Sequence, residues 1–113
     1  DFFMGHDISG YNKAGETIAY VRFSMGNYNA TVLYNLLDAN DYNAGVSGSG
    51  SISTFSKQQI EKALDAYKQI YSNDDPNLSK SDFLIWEQKE IMNFLLNCFE
   101  TTQKEESVRV FFG

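Results

Sequence analysis

Apolar side chains recur along this chain with two different periods. From Phe3 to Ser24, and again from Ser107 to Phe112, they alternate with polar residues, as in strands buried on one face. Thr17 to Ser24 is rich in β-branched and aromatic residues, and Asn12, Lys13, Ala14 and Gly15 before it are turn material, so the first stretch reads as a β-hairpin. Pairing Tyr11 with Glu16 sets Ile8 opposite Ala19, His6 opposite Val21 and Met4 opposite Phe23, which makes a core face. The other face then carries Asp7, Ser9, Tyr11, Glu16, Ile18, Tyr20 and Arg22, with Asp7 opposite Tyr20 and diagonal to Arg22.

Between these stretches the period is helical. Asn29 can cap a short helix from Ala30 to Ala39 with Val32, Leu33, Leu36 and Leu37 facing inward. Ser56 and Gln59 form a capping box, and Phe55 with Ile60 can close a hydrophobic staple around it. Behind that cap Ile60, Ala63, Leu64, Tyr67, Ile70 and Tyr71 mark one buried stripe. Asn73 to Pro76 breaks the pattern, because Pro76 disfavours helix in the residue before it. A long helix then runs from Lys80 or Ser81 to Thr102, with Ser79 or Ser81 as cap. Its Phe83, Leu84, Trp86, Ile91, Met92, Phe94, Leu95, Cys98 and Phe99 cover more than a narrow stripe, so it is either covered on two sides or meets another chain.

Asp41 to Thr54 has neither period. It is rich in Gly and Ser and reads as a long loop, or as a loop containing one short edge strand. The pattern as a whole predicts an α+β fold in a single domain over residues 1–113. An N-terminal β-hairpin and a C-terminal strand form a small, mainly antiparallel sheet packed against three helices.

Composition narrows the possible partners. The net charge is −6, and residues 1–56 and 57–113 each carry a net charge of −3, which leaves no basic stripe for phosphates. Nucleic acid is therefore not an expected partner. No stretch approaches the roughly 20 apolar residues of a membrane-spanning helix, so no membrane partner is expected either. The single cysteine, Cys98, lies in an apolar helical run and reads as a buried thiol, which fits a reducing, cytoplasmic setting.

Motif templates for chemistry fail one by one. The Gly/Ser segment lacks the Lys of a phosphate-binding loop and the third Gly of a dinucleotide fingerprint, and no Ser in it has Gly at both two-residue positions. One Cys and one His do not supply a zinc ligand set, so neither metal nor cofactor is expected. Glu87 with Glu90, and Glu61 with Asp65, read as pairs on solvated helix faces. His6 is the only group with an ordinary pKa near neutrality, and its place on the core face favours a satisfied core imidazole over a general base.

Two functional readings remain, and neither includes a catalytic constellation. The leading one is a small acidic protein-binding module that self-associates as a homodimer, with Phe83, Trp86 and Phe94 as candidate interface residues, because Tyr and Phe are abundant and aromatic side chains anchor interfaces. The alternative is a small-molecule or anion-binding, or hydrolytic, protein that uses the Gly/Ser-rich loop 44–54. Its candidates are His6, Asp7, Arg22, Tyr42, Asn43, Ser47 and Ser49, with the loop folded against the open end of the hairpin.

Overall fold

The computed structural model describes residues 4–72 and 81–113. The elements follow in the order β1 (Gly5–Tyr11), β2 (Thr17–Ser24), α1 (Tyr28–Leu36), a single 3-10 turn (Asn40–Tyr42), β3 (Ser51–Ser56), α2 (Lys57–Ser72), α3 (Asp82–Glu105) and β4 (Ser107–Phe112). The strands form one antiparallel sheet in the order β2-β1-β4-β3, and the three helices complete an α+β fold. The expected break at Asn73 to Pro76, the Lys80 start and the Ser79 cap lie outside the described residues.

The C-terminal strand joins the hairpin edge as its alternation predicts, and it places Val108, Val110 and Phe112 inward. The Gly/Ser segment supplies the fourth strand. β3 pairs with β4 along its whole length, so the short edge strand is realised, and Phe55 is its buried residue.

The hairpin register differs from the expected one. Ile8 faces Val21, His6 faces Phe23 and Asp7 faces Arg22 directly. Tyr11 pairs with Thr17 rather than Glu16, and Ile18 is an extra residue that interrupts the ladder between Ala19 and Thr17. The longer turn and the bulge each add one residue, so the register slips by two and the face of every inner residue survives. Met4 falls outside β1 and is exposed, not part of the core.

Local capping signals are realised atom by atom at two helices. The Gln59 N–H donates to Ser56 Oγ (3.1 Å) while Gln59 Oε1 accepts from the Ser56 N–H (2.8 Å). Ser81 caps α3 by accepting from the Leu84 N–H at 3.1 Å. α1 starts earlier than expected, because Asn27 and not Asn29 is its cap and accepts from the Asn29 N–H. The buried stripe is Ala30, Leu33, Tyr34 and Leu37, and Val32 and Leu36 are only half-buried. On α2 the stripe ends at Tyr67, and Ile70 and Tyr71 are exposed.

All helices contribute to one core on the inner face of the sheet, centred on Ile8, Leu33, Tyr34, Ile60, Ile91, Phe94, Leu95, Val110 and Phe112. The opposite face of the sheet carries Asp7, Tyr20, Arg22, Ile52, Arg109 and Phe111, without a helix among the described residues.

Candidate functional site

His6 lies on the inner face of β1 and is buried. Its Nε2 is 3.2 Å from Gly45 O, and its Nδ1 is 3.0 Å from Tyr34 Oη. A carbonyl can only accept, so the neutral ring carries its proton on Nε2, and Nδ1 accepts from the Tyr34 hydroxyl. The imidazole thereby links β1, α1 and the Gly/Ser segment. Burial lowers its pKa below the ordinary value, and the Gly45 carbonyl and the nearby Asp7 only partly offset this. Burial also pushes the Tyr34 hydroxyl up to about 12, so it stays a neutral donor.

This depression gives a sign to pH dependence. The fold favours neutral His6, so its contribution is complete above the unfolded pKa of about 6.5 and is lost as pH falls below that. The expected result is a urea midpoint that drops between neutral and mildly acidic pH, with a smaller drop in His6→Gln. An equal drop in both proteins would assign the effect to other groups.

The rest of the Gly/Ser segment is folded onto the open end of the hairpin. Gly5 N–H donates to Val46 O (2.8 Å) and Gly48 N–H to Gly113 O (2.9 Å). The amide of Ala44 goes to Ser47 O, that of Gly45 to Asn43 Oδ1, that of Ser49 to Tyr42 O and that of Gly50 to Phe112 O. Ser47 Oγ donates to Gly48 O, and Ser49 Oγ donates to Ser51 Oγ. These donors are taken up by oxygens of the segment and of the end of β4. Tyr42 is half-buried and stacks on Phe112 at 5.2 Å.

Asp7 and Arg22 are on the other side of the sheet from His6. Asp7 Oδ2 pairs with Arg22 Nη1, and Asp7 Oδ1 accepts from Tyr20 Oη. Burial alone would raise the Asp7 pKa, but the bonds from Tyr20 and Arg22 and the Arg22 charge outweigh it and hold the carboxyl below its usual range. The bond to Asp7 raises the Tyr20 pKa, so the phenol is no base. The candidate ligand residues are therefore split between two faces. His6, Tyr42, Asn43 and Ser47 adjoin the folded segment, and Asp7 and Arg22 pair on the open face.

Cys98 is buried in the C-terminal half of α3, and burial pushes its thiol up to about 12, the state of an inert packing group. Among the described residues no group of His, Cys, Asp and Glu side chains could hold a metal ion, and no helix is long and apolar enough to cross a membrane.

On α3 the candidate interface residues separate. Phe94 is 1% exposed and packs in the core, because it falls on the same stripe as Ile91 and Cys98. It is not available to a partner. Phe83 (63% exposed) and Trp86 (53%) stand outside the core and stack on each other, with ring centres 6.1 Å apart and planes 24° from parallel.

Glu87, next to Trp86, is buried and not on a solvated face as expected. Its carboxylate accepts from Asn27 Nδ2 (2.6 Å) and Asn29 Nδ2 (2.8 Å), and it sits at the positive end of α1, which has no acidic residue of its own there. These bonds hold the start of α1 beside the early turns of α3. Met25 (49% exposed) and Tyr28 (77%) therefore lie at the same end of the molecule as Phe83 and Trp86. From Tyr28 a groove of mixed character continues between α1 and α2, lined by Val32, Leu36, Ala66 and Ile70 together with Asn35 and Lys62. Periodicity does not reveal Met25 and Tyr28, which belong to a turn and a first helical residue.

The class that fold and surface define is a two-layer α+β domain with one aromatic end. Comparison with protein families, characterised proteins and solved structures found no match.

Proposed function

We propose that this chain is a small protein-interaction module that self-associates through the end formed by Met25, Tyr28, Phe83 and Trp86. The observation that carries this reading is the stacked, exposed Phe83–Trp86 pair. Two large rings kept in water gain nothing from the core, whereas aromatic side chains of this kind supply much of the energy of protein interfaces. The net charge of −6 without a basic stripe favours a protein over a nucleic-acid partner. The buried, lone Cys98 fits action in a reducing cytoplasm.

Sedimentation velocity on the purified chain tests the proposal. The wild type should form a dimer or larger species whose fraction rises with concentration. Phe83→Asp and Trp86→Asp should sediment as smaller species while keeping the urea midpoint that the wild type shows at concentrations where it is dissociated, since neither side chain is in the core. A wild-type protein that stays monomeric at every concentration, or variants that assemble unchanged, would sink it.

A further inference from the structure

β3 is the outer strand at the opposite edge of the sheet from β2, and among the described strands only β4 pairs with it. Its six residues, Ser51–Ser56, include neither Pro nor a charged side chain, whereas β1 carries Asp7, β2 carries Arg22 and β4 carries Arg109. Charge and Pro are the usual means of blunting a strand edge, so this edge is left open to another strand. Ile52 and Thr54 stand exposed on the open face beside it.

The direction of its main-chain groups follows from the ladder. Asp7 and Gly113 exchange both main-chain bonds, 3.0 and 2.8 Å, and strand alternation then turns the groups of Phe111 and Arg109 toward β1. Those of Phe112, Val110 and Val108 therefore turn toward β3, where they meet Ser51, Ser53 and Phe55. The Lys57 N–H continues this phase by donating to Glu106 O at 2.9 Å. The N–H and C=O groups of Ile52 and Thr54 consequently point away from the sheet. So does the Ser56 N–H, but Gln59 Oε1 already holds it at 2.8 Å in the capping box.

We infer that β3 pairs antiparallel with β3 of a second copy, with Ser53 on the two-fold axis, so that one sheet runs through both subunits. Registers offset by an odd number of residues would place core-face residues opposite outer-face ones. Of the symmetric registers near the strand centre, one sets Ile52 against the second copy's Ser56, whose N–H the capping box holds. Another sets Thr54 against the second copy's Gly50, whose φ of 82° is outside the extended range. The register centred on Ser53 sets Ile52 opposite Thr54 of the second copy and Thr54 opposite its Ile52, and each of these pairs exchanges both main-chain bonds. Two β-branched side chains then meet on the open face, and Ser51 lies opposite the second copy's Phe55 on the core face. A second copy suits this edge because each chain carries a net charge of −6, and here two such chains meet without a charge on either strand. The contact is independent of the aromatic end at Phe83 and Trp86. Two different two-fold contacts on one chain join dimers into larger species.

Amide hydrogen exchange on the full chain at low and high protein concentration tests the inference. The Ile52 and Thr54 amides should slow about tenfold or more as concentration rises, while Ser53 and Phe55 stay equally protected throughout. Thr54→Pro removes only an outward N–H, which an edge strand tolerates, and should abolish the slowing at Ile52. Ile52→Lys puts a charge on the edge without touching the core and should abolish the slowing at Thr54. Ser53→Cys tests the register, because its two thiols would meet on the axis in a pair with Cα atoms about 4.5 Å apart, and air oxidation should link the copies. In the Phe83→Asp, Trp86→Asp double variant the edge protection should persist even where the aromatic end no longer associates. Ile52 and Thr54 amides that exchange at one rate at every concentration, protection that vanishes in the double variant, or a Ser53→Cys chain that stays unlinked on oxidation would overturn the edge contact. A double variant that sediments like the wild type with its edge protection intact would support the edge and count against the aromatic end.

Discussion

Replacing Phe112 with alanine is expected to destabilise the protein by about 3–5 kcal/mol, the range for emptying a fully buried aromatic site. Phe112 is 0% exposed and is where separate parts of the chain meet. Its ring stacks with Tyr34 of α1 at 5.5 Å and with Tyr42 of the 3-10 turn at 5.2 Å, and it meets Phe55 of β3 edge-on at 6.2 Å. Removing it leaves a void bordered by rings that are themselves fixed by His6, by the turn and by the sheet, so little of the space can close. Domains of this kind have only about 5–15 kcal/mol of total stability, so the loss should be visible as a large fall in the urea midpoint. Phe111→Ala is the comparison, since Phe111 is half-buried on the open face, and it should cost clearly less. Equal midpoints for the two variants would show that Phe112 does not hold this junction.

The second large effect is expected at Gly48. A Cβ at this position would lie 2.5 Å from the Phe112 carbonyl carbon and 2.8 Å from Gly113 O. These are main-chain atoms and cannot rotate aside. Gly48→Ala must therefore push the Gly/Ser segment off the end of β4, weakening the bond from the Gly48 N–H to Gly113 O and the seat of Gly45 on His6. Overpacking of this sort costs about 1–3 kcal/mol. Ser49→Ala, an exposed neighbour, should be close to neutral. Finding Gly48→Ala as stable as Ser49→Ala by urea titration would mean that the segment is not packed as described.

What could be read in the sequence depended on how locally each feature is encoded. Ser56 with Gln59 and Ser81 with Leu84 act over three residues, so the α2 start is legible and the α3 cap is narrowed to Ser79 or Ser81, of which Ser81 is the one. The alternation of Val108, Val110 and Phe112 identified β4 in the same way. The hairpin faces were legible but its pairing was not, since the Ile18 bulge and the longer turn leave the hydrophobic pattern unchanged. β3 was ambiguous because Ser and Thr hold most of its positions and carry no burial signal.

The candidate sites were less legible for the same reason. His6 stood out as the only imidazole, but its partners come from α1 and from Gly45, brought together by tertiary packing. Tyr34 is hidden in the sequence because the more apolar Val32, Leu33, Leu36 and Leu37 suggest a different inward face for α1. Glu87 looked like an ordinary surface carboxylate, and only Asn27 and Asn29, arriving from a distant turn, account for its burial. A cluster of asparagines at a helix start was the available signal, since side-chain amides left over after capping need acceptors.

The sheet order also bears on how the chain can be made. β1 precedes the other described elements and its inner neighbour β4 follows them, so during synthesis the central pairing of the sheet forms after the other elements have been made. Until then the side of β1 that β4 takes is open and β3 lacks its strand partner. Contacts so distant in sequence make folding slow relative to helical proteins, and exposed strand edges invite wrong partners in the interval. A nascent chain stalled before β4 would accordingly be a better client for chaperones that shield strand edges than one in which β4 has paired with β1 and β3.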